Sequence, residues 1–394
     1  MNFLVLGNGF DIEHNLPTTY ADFLNFLNNG EEYFKELTSA RSKVYVESLK
    51  NKLPKKYDDI DCVENMDWMG LDAEFSFVEK QCKRMFLELN KNYDGGISRI
   101  EKIFQDKRVS NYNKYLIWFL VNGNSWYNHF KSQKDSLKPG RWLDIESEIK
   151  NVVIDWENAF YKHELISQDY FDDFQMLGIK KSDGEYNLEL IMKKLSESLI
   201  ELKEHLVNYL HIFEIVRDTV IEETRKTFIS PDIRAIVSPI VINFNYTDTY
   251  SKVYGSVESM DFVHGKIGSQ IVFGAGDSEV DKSMAAPLKK SKQINDCEIQ
   301  PNYIEKLRNS RDLENNVYIF GHSVGESDAS IFRSLINDEK ISHVIVYYHD
   351  DDMKKNIKEN LSKILGTTKL TKYMKDNKLE FIQQQNREEI DIKR

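Results

Sequence analysis

The sequence predicts an α/β fold, a Rossmann-like, doubly wound and mostly parallel sheet carrying a large helical insertion, and three observations lead to it. The chain opens on the apolar run Phe3-Leu4-Val5-Leu6, which passes at once into Gly7-Asn8-Gly9 and then a helical stretch around Tyr20 to Leu27. Such near-continuous apolar character suits a strand buried on both faces of a parallel sheet. From about Asn29 to Thr227 the pattern is almost wholly helical, and after Pro231 short β-branched runs alternate with helix-like segments. That alternation is the texture of a doubly wound sheet.

Within the helical stretch, Glu74 to Asn92, Tyr112 to Val121, Asp144 to His163 and Tyr186 to Phe228 read as helices. In the last of these, Leu188, Ile191, Leu195, Leu199, Leu202, Leu206, Tyr209 and Phe213 recur at three- and four-residue steps, a seam packed in coiled-coil fashion. Intramolecular burial is the first reading of that seam and homo-oligomerisation the second. The later strands are expected at Ile236 to Phe244, Asp261 to Val263, Ile271 to Phe273, Val317 to Phe320, Val344 to Tyr348 and Leu379 to Ile382. Helices are expected at Ala329 to Asn337 and Met353 to Ile364. Residues 1–28 and 231–394 would then form the nucleotide-binding domain and residues 29–230 the insertion. Gly274 to Asn302 lacks clear periodicity and reads as a long surface loop able to cover a site.

Composition narrows the function classes. A net charge of -11 with no long basic block disfavours nucleic acid as a partner, and Lys289, Lys290 and Lys292 read as a solvated loop. Cys62, Cys82 and Cys297 are far apart and form no C-x-x-C pair, which argues against a disulfide framework or a zinc ribbon. The apolar opening is too short for a signal-peptide core, and no run reaches the twenty or so residues of a membrane span. Cytoplasmic residence without a membrane partner is the expectation.

The candidate chemistry sits at strand ends. Gly7-Asn8-Gly9-Phe10 follows a strand where backbone N–H groups can approach a phosphate, although Ile12 stands where a dinucleotide fingerprint has its third glycine. Asp11 reads either as a cap or as a partner for a ribose hydroxyl. Asn243, Asn245 and Tyr246 lie at the next strand's carboxyl edge, where an Asn amide can fix a water or a hydroxyl. His264, before Gly265, is a candidate general base. Gly274 follows a further apolar run, while Gly321-His322-Ser323 and Asp328 form a second turn that reads as a ligand cradle or as a capped helix start. Asp144 and Glu146 in Trp142-Leu143-Asp144-Ile145-Glu146 point to different helix faces, poor geometry for a metal pair, and Asp144 reads as a cap or as a group supporting the site from behind. No carboxylate cluster has readable metal-ligand spacing, so no metal is expected.

In their order these segments resemble the abortive-infection AbiH family of bacterial anti-phage proteins. The resemblance rests on Gly7-Asn8-Gly9-Phe10-Asp11, Leu16-Pro17-Thr18 with Tyr20, Trp142 to Glu146, Asn243 to Thr247, His264-Gly265, Phe273-Gly274 and Gly321-His322-Ser323 through Glu326-Ser327-Asp328. More distantly, the series Gly7, Gly9, Leu16-Pro17, Asn245, His264-Gly265, Ile271 to Gly274 and Gly321-His322-Ser323 looks like a sirtuin-type NAD site. Asp11 departs from that pattern, which has a serine there, and the sirtuin zinc cysteines have no counterpart, so deacylation is not expected.

The resemblance implies an anti-phage effector with NAD as its substrate or ligand and no resident cofactor, activated by a phage-derived trigger. Asn245 would orient a water or ribose hydroxyl, His264 would assist at the ribose or accept a proton, and Asp11 would hold another hydroxyl. Gly7, Asn8, Gly9, Phe10, Asn243, Tyr246, Gly265, Gly274, Gly321, His322, Ser323 and Asp328 would frame the nucleotide. The other function class it leaves open is a sensor of NAD or an ADP-ribose-like signal, or a protein-interaction module, without turnover.

Overall fold

The protein is described by a computed structural model that covers residues 1–39, 81–82, 84, 112, 115–116, 119–120, 123–132, 145–161, 187–276, 283–310 and 314–392. The helix expected over Glu74 to Asn92 falls largely outside these residues, as do Cys62, Trp142, Leu143 and Asp144.

Among the described residues eight strands are formed: β1 Asn2–Leu6, β2 Lys226–Ile229, β3 Ile240–Asn243, β4 Ser259–Phe262, β5 Asn315–Phe320, β6 Ile341–Tyr348, β7 Leu379–Gln383 and β8 Glu388–Asp391. Six of them make one sheet in the order β4-β3-β1-β5-β6-β7, with every pair parallel. Counted along the chain within that sheet the order is 3-2-1-4-5-6, so the topological switch point lies between β1 and β5. The α/β doubly wound expectation is therefore met. β2 and β8 form a separate antiparallel pair that the apolar runs did not announce.

Side-chain alternation builds the two covered faces. Phe3 and Val5 of β1, Val317 and Ile319 of β5 and Val344 and Val346 of β6 share one core with Phe332, Leu335, Ile357 and Leu361 from the helices Ala329–Asn337 and Asp351–Leu365. Leu4, Leu6, Val241, Phe320 and Tyr347 point the other way, into a core with Phe10, Ile233 and Tyr250. Each buried side chain of this size is worth roughly 1.5–3 kcal/mol of transfer free energy, and β1 collects it on both faces.

The run Ile271 to Phe273 does not become a strand. Gly265, at φ +77, reverses the chain, and only an isolated bridge joins it to Ile271. The stretch Gly274 to Asn302, expected to be a surface loop, instead contains a 3-10 turn at Ser283–Leu288 and a helix at Lys290–Asp296, followed by the helix Asn302–Asn309.

The chain divides into two compact units, one of Met1–Leu16, Asp144–Glu157 and Arg225–Arg394, the other of Pro17–Leu143 and Asn158–Thr224. Compared with the sequence boundaries, the helix Tyr20–Ser39 joins the helical unit, and most of the helix Ile145–Tyr161 joins the sheet unit. In the helical unit the long helix Leu188–Thr224 buries all eight residues of the seam. Trp126 Nε1 donates to Leu195 O, and Phe23 and Phe26 pack on Tyr209. Among the described residues, no helix is long and apolar enough to cross a membrane.

The switch point is held by a close backbone contact. Gly321 has φ +66, and a Cβ added to it would lie 2.3 Å from Phe10 N. Replacing Gly321 by Ala is expected to cost about 1–3 kcal/mol through strain and clash, read as a lower urea midpoint by circular dichroism. An unchanged midpoint would mean that the two turns separate freely.

Candidate active site

The carboxyl ends of β1, β3, β4 and β5 deliver four turns to one edge of the sheet, where open α/β folds place their ligands. At β1 the turn is closed by its neighbour. Gly7 N donates to Phe320 O at 3.0 Å and Gly9 N to Gly321 O at 2.8 Å, while Phe10 N returns to Gly7 O. A Cβ on Gly7 would meet His322, and one on Gly9 would meet Gly321. These glycines let the β1 and β5 turns touch, and the Gly7 and Gly9 N–H groups are spent on that contact. Asn8 sits at the rim of the turn, half-buried. Phe10 is buried in an aromatic cluster with His14, Tyr250 and Tyr254.

Beside this turn, side chains of the β3 edge tie themselves to it. Asp11 lies within the short helix Asn8–Glu13 rather than capping it, and its Oδ2 accepts from Thr247 Oγ1 at 2.6 Å. Asn243 Oδ1 accepts from Asn245 N, and Asn243 Nδ2 donates to Thr247 O, which folds the turn on itself. Asn245 Nδ2 donates to Gly7 O at 3.0 Å and its backbone N to Asn243 Oδ1, neither of which engages its Oδ1. A carbonyl oxygen is thus available at the edge. Tyr246 is fixed through its hydroxyl to Val272 O.

The β4 and β5 turns bring the ionisable groups together. His264 Nε2 lies 3.0 Å from Asp328 Oδ1, and Lys290 Nζ reaches the same oxygen at 3.0 Å and Glu146 Oε2 at 2.6 Å. His322 Nδ1 accepts from Val324 N at 2.9 Å, leaving its Nε2 3.7 Å from Asp328 Oδ2. Asp328, His264, Lys290 and His322 are each buried to less than a tenth exposure, so they see one another rather than water. Phe244 roofs the cluster, edge-on to both histidine rings and stacked on Phe332.

Burial sets the protonation of these groups. It drives the Asp328 carboxyl upward, but Lys290 and His264 more than offset that and hold it well below the usual carboxylate range. Burial likewise opposes the Lys290 charge, yet Asp328 and Glu146 raise the ammonium above its ordinary range. His322 is lowered from 6.5 to about 4, chiefly by burial, against the pull of Asp328. With Asp328 ionised, the geometry assigns the His264 proton to Nε2 and leaves an Nδ1 lone pair with no partner among the described residues. A carboxylate-oriented imidazole with an open nitrogen is the arrangement of a general base.

Two members of this cluster were not legible beforehand. Lys290, expected in a solvated loop, is 3% exposed, whereas Lys292 pairs with Asp296 on the surface. Gly274 and Ala275 explain its position: Ala275 N donates to Leu288 O, Lys290 N donates to Ala275 O, and a Cβ on Gly274 would lie 2.4 Å from Leu288 O. Glu146 stands in the Trp142 to Glu146 motif beside Asp144. The available signal was a deficit, since an aspartate and two histidines at apolar strand ends call for a buried cation. Asp328 occupies the N-cap position of Ala329–Asn337 without making a side-chain capping bond, because its carboxylate is committed to His264 and Lys290. Ser323, half-buried, accepts from Asn360 through its carbonyl.

Acid should loosen this site. His322 binds its proton less readily folded than unfolded, so its contribution to stability is complete above pH 6.5 and is lost as pH falls toward about 4. His205 in the helical unit, lowered to about 3 by burial, acts in the same direction. The thermal midpoint should therefore fall between pH 6.5 and 4, and His322→Asn, which retains an acceptor for Val324 N, should flatten that fall. An equal acid slope in the variant would remove His322 as its source.

The family model for bacteriophage abortive infection AbiH matches residues 3–350. No curated protein and no solved structure matches the chain.

Proposed function

The chain belongs to the bacteriophage abortive infection AbiH family, and from that premise we propose that it is a phage-defence effector that binds NAD and hydrolyses the nicotinamide glycosidic bond. The observation that carries the reading is His264, held by Asp328 through Nε2 and open at Nδ1, on the same sheet edge as the open Asn245 carbonyl oxygen.

In the proposed step the bond between ribose C1′ and the nicotinamide nitrogen breaks, and its electron pair leaves with nicotinamide. Water oxygen bonds to C1′, and the water proton passes to His264 Nδ1 and then to solvent. The products are nicotinamide, ADP-ribose and a proton. Asn245 Oδ1 accepts a hydrogen from the water or from a ribose hydroxyl. Asp11, 1% exposed, acts through Thr247 as a positioning residue for that turn. Asn243 shapes the same turn by accepting from Asn245 N. The Gly7 to Phe10 turn and Gly321-His322-Ser323 frame the edge along which the dinucleotide lies. A cationic leaving group needs little chemical help, so orientation and stabilisation of an oxocarbenium-like transition state carry most of the rate.

The test is cellular NAD and ADP-ribose measured by mass spectrometry during phage infection, in cells carrying the wild-type protein, His264→Ala or Asn245→Ala at equal expression. Loss of NAD is expected with wild type, and turnover about a hundredfold to ten-thousandfold lower with His264→Ala, the usual contribution of a general base. Phage resistance with constant NAD in wild-type cells would overturn hydrolysis. Calorimetric binding of intact NAD without product would then identify a sensor.

A further inference from the structure

Among the described residues, the net charge of this buried cluster turns on the proton of His264. Asp328 and Glu146 supply two negative charges against the single positive charge of Lys290, and His322 is held neutral by burial. With His264 neutral the cluster carries one net negative charge, and a proton on His264 makes it neutral. Among the described residues the Tyr246 phenol also faces Lys290, and its hydroxyl donates to Val272 O.

We infer that Lys290 is a positioning residue for His264: paired at once with Asp328 and Glu146, it shares the Asp328 oxygen that holds the imidazole and so tunes the proton affinity of the base. This rests on the reading of His264 as the base, but it concerns the imidazole's proton affinity and can be measured without NAD. Lys290 competes with His264 for the same Asp328 oxygen, which limits how strongly that carboxylate attracts a proton to the ring. Glu146 opposes Lys290 from its other side. The two residues therefore set His264 in opposite directions, and a purely structural role for either would not produce that pattern.

The experiment is an NMR titration of His264 in the full chain, with ring nitrogens labelled to read the tautomer, for wild type, Lys290→Met, Glu146→Gln and the double variant. Lys290→Met should raise the His264 midpoint by about one pH unit or more, as two unbalanced carboxylates favour the imidazolium. Glu146→Gln should lower it. The double variant restores one net negative charge and should return close to wild type, and Lys290→Arg should preserve the wild-type midpoint. Should Lys290→Met fail to fold, Glu146→Gln and Lys290→Arg still decide the matter. Equal midpoints in wild type and Glu146→Gln, or single shifts of the same sign, would overturn the inference. Shifts as expected with no NAD turnover in any form would leave Lys290 as the positioning residue and overturn only the hydrolase reading.

Discussion

Burying Asp328 is the constraint from which the arrangement of the sheet edge follows. A carboxylate with less than a tenth of its surface in water stays ionised only if opposite charge and hydrogen-bond donors come to it. They arrive from separate segments: Lys290 from the helix Lys290–Asp296, His264 after β4 and His322 after β5, while Glu146 of a further helix holds Lys290 from its other side. Withdrawing one partner would leave a buried charge, at a cost of about 3–5 kcal/mol. An apolar group of similar volume would often be no less stable there. Stability alone thus gives little reason for four ionisable side chains in one buried site, whereas proton transfer gives a direct one.

Backbone contact at the switch point is a second constraint. Because Gly7 and Gly9 lie against Gly321 and His322, the β1 and β5 turns form one unit, and movement of either reaches the other through two backbone hydrogen bonds. The Asn245 bond to Gly7 O adds the β3 turn to that unit. Glycine here serves close packing of chain on chain, a use that a sequence cannot distinguish from close approach to a phosphate.

The parallel sheet was legible because its central strands β1 and β3 are buried on both faces and read as apolar runs, while the edge strand β7 still showed Leu379, Phe381 and Ile382 around Glu380. The β2–β8 pair escaped notice because the helical pattern read from Tyr186 runs on into Phe228, and β8 is charged and mostly exposed. The helix Lys290–Asp296 is short and polar, and its one buried lysine resembles its solvated neighbours until Asp328 is placed beside it. At the site, His264, Asn245 and Asp328 were marked by their places after strands. Their partners were not, since an ion pair between Lys290 and Glu146 exists only in three dimensions.

Charge balance also distinguishes among reactions that this fold could support. A transition state that gathers negative charge, such as phosphoryl transfer, would be opposed by a cluster with one net negative charge and would call for added cations at the edge. The proposed cleavage of a nicotinamide glycosidic bond builds positive charge on the ribose ring, which the same cluster would favour. In the proposed hydrolysis the proton released from the attacking water would neutralise the cluster through His264, so that electrostatic stabilisation and base catalysis would draw on one feature. In that account the Lys290 pairings matter as much as His264 itself, because they decide how much negative charge remains for the transition state.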